Sequence, residues 1–308
     1  MKTATTILML QVAFFATVSA RTIAIPGLNL TFPKPPAFPG LMAKPSGCTC
    51  GERKNSRIVG GTAAQNGQFP WRVRLCTGRP SALYCLSCGA TIISEQWILT
   101  AAHCFDSYQL GYYVNVFVGS TDAHGYLVMP DRLVIHEKYR PLTSNSTSQN
   151  DIALLHLPIK LPFDNSNILL GPACLPYQYV GKEELGTVIA SGWGKTVGND
   201  DGSSSDTLQT VELDLMSNDE CRKIGRGITN MHVCTNTPNK TVCQGDSGGS
   251  IDKVSKGLSY AFGIVSYGSR YCEGYAAFTR VSEYLTWIEQ WTGENFCKPL
   301  MSKNRNLV

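Results

Sequence analysis

A serine between glycines is the residue of this chain best placed for chemistry. Ser247 lies in the stretch Gly-Asp-Ser-Gly-Gly at residues 245–249. Glycines on both sides let a substrate approach the hydroxyl and leave backbone N–H groups available to stabilise an oxyanion. Taken alone, the stretch also fits a glycine-rich turn capped by an aspartate, so a nucleophilic serine needs support from elsewhere in the sequence.

A serine hydroxyl is a weak nucleophile and needs a neighbouring base, which itself needs an orienting group. The candidate base is His103, in Leu-Thr-Ala-Ala-His-Cys at residues 99–104, because small neighbours and an adjacent cysteine would hold the imidazole rigidly. The candidate acid is Asp151, which precedes the apolar run Ile-Ala-Leu-Leu. An acid in this position is usually a turn cap; here we expect a buried carboxylate that fixes the tautomer of His103.

Together these motifs resemble the trypsin/chymotrypsin family of secreted serine endopeptidases. The likeness extends from about Cys50 to Cys297 and includes Ile-Val-Gly-Gly at residues 58–61, Gly-Trp-Gly at residues 192–194 and Ser-Tyr-Gly at residues 266–268. The chain order His, Asp, Ser is that of chymotrypsin-type enzymes and differs from that of subtilisins and α/β-hydrolases. The Cys-Thr-Cys-Gly stretch and the Asn-Phe-Cys ending are most similar to arthropod extracellular proteases of the salivary and venom types.

The resemblance implies an all-β fold of two packed antiparallel six-stranded β-barrels of the chymotrypsin type, with a C-terminal helix. The residues favour the same class, because short runs rich in β-branched and aromatic residues alternate with turn-forming clusters. Examples of the predicted strands are residues 72–75, 90–93, 115–118, 133–135, 152–157, 208–213 and 258–267. Apolar residues at helical spacing from Val281 to Trp291 predict the helix.

The same resemblance assigns roles to the candidate residues. Ser247 would attack the substrate carbonyl, His103 would accept and return the proton, and Asp151 would orient the imidazole. The backbone N–H groups of Gly245 and Ser247 would form the oxyanion hole. Ser266 is expected to support Asp151. No cofactor is implied by this chemistry.

The primary specificity pocket of the family has its floor six residues before the nucleophile, which is Thr241 here. A neutral threonine leaves a buried substrate guanidinium without a charge partner. Small walls, Gly268 and Ala276, leave room for a large apolar side chain, and Gly268 would also pair with the substrate backbone. We therefore predict cleavage after Phe, Tyr, Leu or Met. The alternative is trypsin-like cleavage through Glu273, which could enter the pocket because the segment after Cys272 is shorter than usual.

The family resemblance also implies activation by proteolysis. Cleavage between Arg57 and Ile58 would free an α-amino group, which would insert and pair with Asp246. A buried charge without a partner costs several kcal/mol. We therefore expect the uncut chain to be an inactive zymogen, and its activator to be a trypsin-like protease because the bond follows an arginine.

The N-terminus has the features of a secretory signal. Lys2 provides a positive start, residues 7–18 are mostly apolar, and Val-Ser-Ala at residues 18–20 supplies a small-residue cleavage site. Prolines spread through the next segment predict an extended linker. The predicted organisation is a signal peptide at 1–20, a proline-rich activation propeptide at 21–57 and a serine protease domain at 58–308.

Composition supports an extracellular protein. The 308 residues are 43% apolar, enough for a sizeable core, and 27 Lys and Arg against 23 Asp and Glu give a net charge of +4. So small a net charge does not indicate a nucleic-acid-binding surface. No run is apolar and long enough to predict a membrane span. The 12 cysteines indicate an oxidising compartment. We expect a secreted monomer.

Spacing alone does not determine how the cysteines pair. By resemblance, we expect Cys88 to pair with Cys104, Cys221 with Cys234, Cys243 with Cys272, and Cys50 with Cys174, the last as a tether for the propeptide. The remaining pairs are inferred to be Cys76 with Cys85, across a hairpin, and Cys48 with Cys297.

Three further expectations concern the surface and departures from the family. Asn29, Asn145 and Asn239 begin N-x-S/T sequons and are candidate glycosylation sites. Residues 119–128, where a calcium loop would lie, contain a single acid, so we predict no metal site. Ser250 replaces the proline usual after the nucleophile motif, a change we expect to be tolerated.

The expected partners are protein or peptide substrates, an activating protease and protein protease inhibitors. A different class of function, a catalytically silent protease homologue that acts as a regulatory binding module, would normally show a broken triad. All three candidate positions are present here. A lipase or esterase would require a Gly-x-Ser-x-Gly elbow in an alternating α/β pattern, which this chain lacks.

Overall fold

A computed structural model of the chain describes residues 22–23, 49–53, 62–79, 85–106, 112–144, 146–163, 170–196, 204–269 and 271–298. These residues form two antiparallel β-sheets and two α-helices. No helix among the described residues is both long and apolar enough to cross a membrane.

The first sheet contains eight strands in the order β1-β8-β9-β5-β4-β3-β6-β7. Alternating burial along β6 shows why such segments become strands, since Val114, Val116 and Val118 face the core while their neighbours are half-exposed. The strands are β1 (Thr22–Ile23), β3 (Arg72–Gly78), β4 (Leu86–Ile92), β5 (Trp97–Thr100), β6 (Tyr113–Val118), β7 (Tyr126–Val128), β8 (Arg132–Ile135) and β9 (Ala153–His156).

The second sheet contains seven strands in the order β10-β13-β14-β15-β12-β11-β2, and β10 also pairs with β11, which closes six of them into a barrel. The strands are β2 (Thr62–Ala63), β10 (Gly186–Gly192), β11 (Gln209–Met216), β12 (His232–Thr237), β13 (Ser250–Ser255), β14 (Leu258–Gly268) and β15 (Gly274–Arg280). The predicted fold class is confirmed. The structure adds the short strands β1, β2 and β7 to the twelve expected.

The C-terminal helix is confirmed in a modified form. Val281–Tyr284 is a 3₁₀ turn that leads into α2 (Leu285–Thr292), and Gly293 ends the helix in a left-handed conformation. A second helix, α1 (Asn218–Ile224), was not predicted. Its start has a capping box in which the Ser217 hydroxyl accepts from Glu220 N–H and the Glu220 carboxylate accepts from Ser217 N–H.

Candidate active site

His103 lies in a short 3₁₀ helix, Ala102–Phe105, directly after β5. A disulfide between Cys88 of β4 and Cys104 ties this helix to the sheet. The imidazole is only 24% exposed. The disulfide and the surrounding chain limit the movement of the imidazole. A general base must keep its position in this way.

Asp151 binds His103 through both carboxylate oxygens. Oδ2 lies 2.8 Å from His103 Nδ1, and Oδ1 accepts the His103 backbone N–H at 2.9 Å. Asp151 is 1% exposed, and the Ser266 hydroxyl donates to the same Oδ2 at 2.5 Å. The structure therefore brings the predicted base, acid and supporting serine into one hydrogen-bonded group.

The charges of this group stabilise one another. Burial alone would raise the pKa of the Asp151 carboxyl, but the His103 charge and the hydrogen bonds from His103 and Ser266 outweigh it and hold the pKa below its usual value. Burial alone would lower the pKa of His103, and the Asp151 carboxylate outweighs it and raises that pKa. The pair therefore favours a charged imidazolium beside a charged carboxylate, the state in which a base has just taken a proton.

The loop that carries Ser247 packs against the strand and helix that carry His103. Gly89 N–H, next to Cys88 in β4, donates to the Ser247 carbonyl at 2.7 Å. Gly248 has a φ of +81°, and a β-carbon there would overlap the Thr100 hydroxyl and lie 2.5 Å from the Gly89 carbonyl. The glycine after the serine is therefore required for the close approach of the two segments.

Two backbone N–H groups beside the candidate nucleophile are left without an acceptor. Those of Gly245 and Ser247 make no hydrogen bond within the described residues, whereas the N–H of Asp246, between them, donates to the Cys243 carbonyl at 3.0 Å. Gly245 has a φ of +100°. Two neighbouring donors without an acceptor are what an oxyanion hole requires.

The Asp246 side chain lines a cavity of about 280 Å³. It accepts hydrogen bonds from Gly194 N–H and Cys243 N–H, each at 2.9 Å. Burial raises its pKa, and the two N–H donors and the Arg72 charge only partly offset that effect. The carboxylate thus lies in an environment that a further cation would stabilise.

Of the predicted specificity residues, Thr241 lies at this cavity, whereas Gly268 and Ala276 are not among its lining residues. Thr241 lines the cavity beside Asp246, and its buried hydroxyl has no hydrogen-bond partner within the described residues. Gly268 and Ala276 face each other across β14 and β15, and a β-carbon on Gly268 would lie 3.3 Å from that of Ala276. Glu273 is exposed, which disfavours the alternative in which its carboxylate enters the pocket.

Comparison with known proteins agrees with this geometry. The family profile described as Trypsin matches residues 58–288, which is most of the chain. The chain belongs to the trypsin family of serine endopeptidases. The predicted family is thereby confirmed.

Three similar trypsin-family proteins are from insects, which agrees with the expected likeness to arthropod extracellular proteases. Venom serine protease 34 of Apis mellifera is 34% identical over 257 residues, which cover 80% of this chain and 61% of that protein. CLIP domain-containing serine protease HP8 of Bombyx mori is 31% identical over 274 residues, 79% of this chain and 72% of that protein. CLIP domain-containing serine protease B4 of Anopheles gambiae is 27% identical over 275 residues, 81% and 74% respectively. The chain thus spans about three-fifths of the honeybee relative.

Five of the six expected disulfides lie within the described residues, and the sixth, Cys48–Cys297, includes Cys48, which lies outside them. The five are Cys50–Cys174, Cys76–Cys85, Cys88–Cys104, Cys221–Cys234 and Cys243–Cys272. Cys88, His103 and Cys104 also form the one cluster of potential metal ligands found in the described part of the chain. Because metals bind the thiolate and both sulfurs are in a disulfide, this cluster is not a metal site.

Several predicted sites lie outside the described residues: Arg57, Ile58, Cys48, Asn29 and Asn145. Asn239 is described, and it lies exposed in a turn with a φ of +59°. Its position is accessible to a glycan.

Sequence reasoning missed a tyrosine and a second acid near the base. The Tyr139 hydroxyl donates to both Asp106 oxygens, at 2.9 and 3.0 Å. Asp106 ends the 3₁₀ helix of His103, and its charge contributes to the raised pKa of that histidine. The only sequence signal was its place three residues after His103, which carries no information about Tyr139.

Proposed function

We propose that this chain is an active peptidase that cleaves proteins through an acyl-enzyme. The observation that carries the proposal is the buried Asp151 carboxylate bound to His103 at 2.8 Å, beside the loop of Ser247. Ser247 Oγ attacks the peptide carbonyl carbon while His103 accepts the hydroxyl proton. The imidazolium then donates that proton to the leaving amine, and water releases the acyl group by the same steps in the second half-reaction.

The backbone N–H groups of Gly245 and Ser247 are proposed to stabilise the tetrahedral intermediate. Support comes from their lack of any acceptor within the described residues. Loss of one such donor in a serine protease costs about 2.7–4 kcal/mol of transition-state stabilisation.

Activation by cleavage between Arg57 and Ile58 is supported by the surroundings of Asp246. The cavity before its carboxylate is also lined by Gln209 and Thr210 of β11, and these two residues pair with Ala63 and Thr62 of β2. Ile58 lies four positions before Thr62, a span of at most about 14 Å. A newly formed ammonium group at Ile58 is therefore within reach of the cavity.

We propose that the pocket accepts large apolar side chains. The neutral Thr241, the small Gly268 and Ala276, and the exposed position of Glu273 all favour cleavage after Phe, Tyr, Leu or Met. Substrates are proposed to be extracellular proteins or peptides, the activator another protease, and the natural regulators protein inhibitors. The chain is proposed to act as a secreted monomer.

The test is a peptide-substrate profile of protein cut between Arg57 and Ile58, with Ser247→Ala as the matched control. We expect cleavage after Phe, Tyr, Leu or Met that is absent from the control. Cleavage after Arg or Lys instead would retain the mechanism and overturn the pocket assignment. No turnover by correctly cut protein would establish the silent-homologue alternative.

A further inference from the structure

A fully buried ion pair joins the two barrels behind the Ser247 loop. Arg72, the first residue of β3, donates from Nη2 to Asp252 Oδ2 of β13 at 2.9 Å, and the two side chains are 2% and 0% exposed. The same Oδ2 accepts a hydrogen bond from Trp71 Nε1 at 2.9 Å. Because β3 belongs to the first sheet and β13 to the second, the pair crosses the barrel interface.

Two serines of the second barrel also bind the guanidinium. Nε of Arg72 donates to Ser191 Oγ and Nη1 donates to Ser250 Oγ, both at 2.5 Å. The Ser250 hydroxyl in turn donates to Asp252 Oδ1 at 2.7 Å. Ser250 stands where the family usually has proline, which has no side-chain group to accept from Arg72 or donate to Asp252.

The second-barrel partners of Arg72 lie beside the reaction machinery. Ser250 begins β13 three residues after the nucleophile. Ser191 directly precedes Gly192, against which the Asp246 carboxylate packs. The Arg72 charge also acts on Asp246 and lowers the pKa of that carboxyl, in opposition to burial.

Net stability is a weak reason to keep such a pair. Removing two charges from water costs several kcal/mol per ion, and well-packed apolar residues of similar volume are often as stable or more so. What a guanidinium supplies instead is geometry, because its five N–H donors lie in a fixed planar fork. In this chain three separate nitrogens of Arg72 bind three side chains of the opposite barrel.

We propose that Arg72 is a positioning residue: with Asp252 and Ser250, it fixes the start of β13, and so Ser247, relative to the barrel that carries His103 and Asp151. The proposal rests on the proposed peptidase function. A displacement of about 1 Å between reacting groups can lower a rate about 100-fold. The contacts of Arg72 at the barrel interface therefore affect the reaction rate.

The experiment compares cut wild-type enzyme with three variants. R72M/D252L removes both charges together and so avoids leaving one buried charge unpaired. Ser250→Ala removes only the bridging hydroxyl. Arg74→Gln is the matched control, because Arg74 lies in the same strand but binds Ser87 and the Ala123 carbonyl within the first barrel. Measurements are kcat and KM per active site titrated with a fluorophosphonate, and melting temperature.

We expect kcat of R72M/D252L to fall at least about tenfold, with KM within about twofold and the protein still folded. Ser250→Ala should lose about threefold in kcat, and Arg74→Gln should match wild type. A folded R72M/D252L with wild-type kcat would overturn the proposal. Should that variant not fold, Ser250→Ala decides in the same way. Wild-type enzyme without turnover would instead refute the proposed function.

Discussion

Gly192 and Asp246 are packed so closely that a β-carbon on Gly192 would overlap Oδ1 of the carboxylate. A β-carbon on Gly194 would lie 2.6 Å from the same atom. The orientation of Asp246 toward its cavity therefore depends on two residues that have no side chain. A side chain at either position would displace the carboxylate from the site where it is proposed to meet the new N-terminus.

Gly192→Ala is predicted to impair activation while the fold remains intact. Overpacking of this kind costs about 1–3 kcal/mol, so kcat/KM of the cut protein should fall at least about fivefold. The measurement is kcat/KM after N-terminal sequencing has verified cleavage before Ile58. Gly171→Ala is the control, because its β-carbon would meet nothing nearer than Pro70 Cγ at 3.8 Å. Equal activity of the two variants would show that Asp246 does not need its observed orientation.

The pH dependence of kcat/KM should follow the proton of His103. Because its pKa is raised, the imidazole stays protonated, and unable to act as a base, to a pH above the ordinary value of about 6.5. Activity should therefore appear on raising the pH through a midpoint above that value. In Asp151→Asn, burial still lowers the pKa of His103 but no carboxylate raises it. The midpoint should therefore move to lower pH, and kcat should fall about 10⁴-fold. An unchanged midpoint would show that Asp151 does not affect the pKa of His103.

Ser266→Ala tests the second hydrogen bond to the acid. The Ser266 hydroxyl donates to Asp151 Oδ2, and a hydrogen bond to a charged group contributes on the order of 1.5 kcal/mol, so kcat/KM should fall about tenfold. Its loss should also raise the pKa of Asp151, since the hydroxyl favours the ionised form. Steady-state kinetics across pH measure both effects. Unchanged kinetics would show that His103 alone holds the carboxylate.

Thr241→Asp should change which side chain the enzyme accepts. A carboxylate on the pocket floor would pair with a substrate guanidinium, so the ratio of cleavage after Arg to cleavage after Phe should rise by at least about tenfold. Glu273→Gln, which removes an exposed acid, should leave the profile of wild type unchanged. A profile of Glu273→Gln that loses cleavage after Arg or Lys would favour the alternative pocket.

The propeptide should remain attached after cleavage. Cys50 is bonded to Cys174. The Gly51 N–H donates to the Pro172 carbonyl, the Gly51 carbonyl accepts from the Ser259 N–H, and Arg53 Nε donates to the Ser259 hydroxyl at 3.0 Å. Cut protein should therefore run as one species on a non-reducing gel and as two after reduction. Release of the small fragment without reductant would contradict the tether.

Local pattern explains why much of the fold could be predicted. Alternation such as that of Val114, Val116 and Val118 needs no knowledge of the partner strand, and neither does the helical spacing that led to α2. The helix α1 could have been found as well, because Ser217 and Glu220 have the spacing of a capping box. It was missed because the segment that follows is short and mostly polar.

The residues of the candidate site could be predicted where they lie in a local motif and not where they depend on distant contacts. His103, Asp151 and Ser247 were found because each lies in a local motif, and their roles stay predictions. Arg72 and Asp252 were missed because they lie 180 positions apart in the sequence. A local sequence pattern does not predict a contact between two barrels. Such residues are recognised as partners only in the folded structure.

The contacts among Arg72, Ser250 and Asp252 also constrain how this sequence can change over evolutionary time. Replacing Ser250 by proline would leave a guanidinium N–H and a carboxylate oxygen unsatisfied in the interior, and losing either charge alone would strand the other. Each single step away from the present combination is therefore disfavoured, although the endpoint with none of the three is acceptable. Arg72, Ser250 and Asp252 should be inherited as a set, so that descendants of one ancestral enzyme carry all three or none.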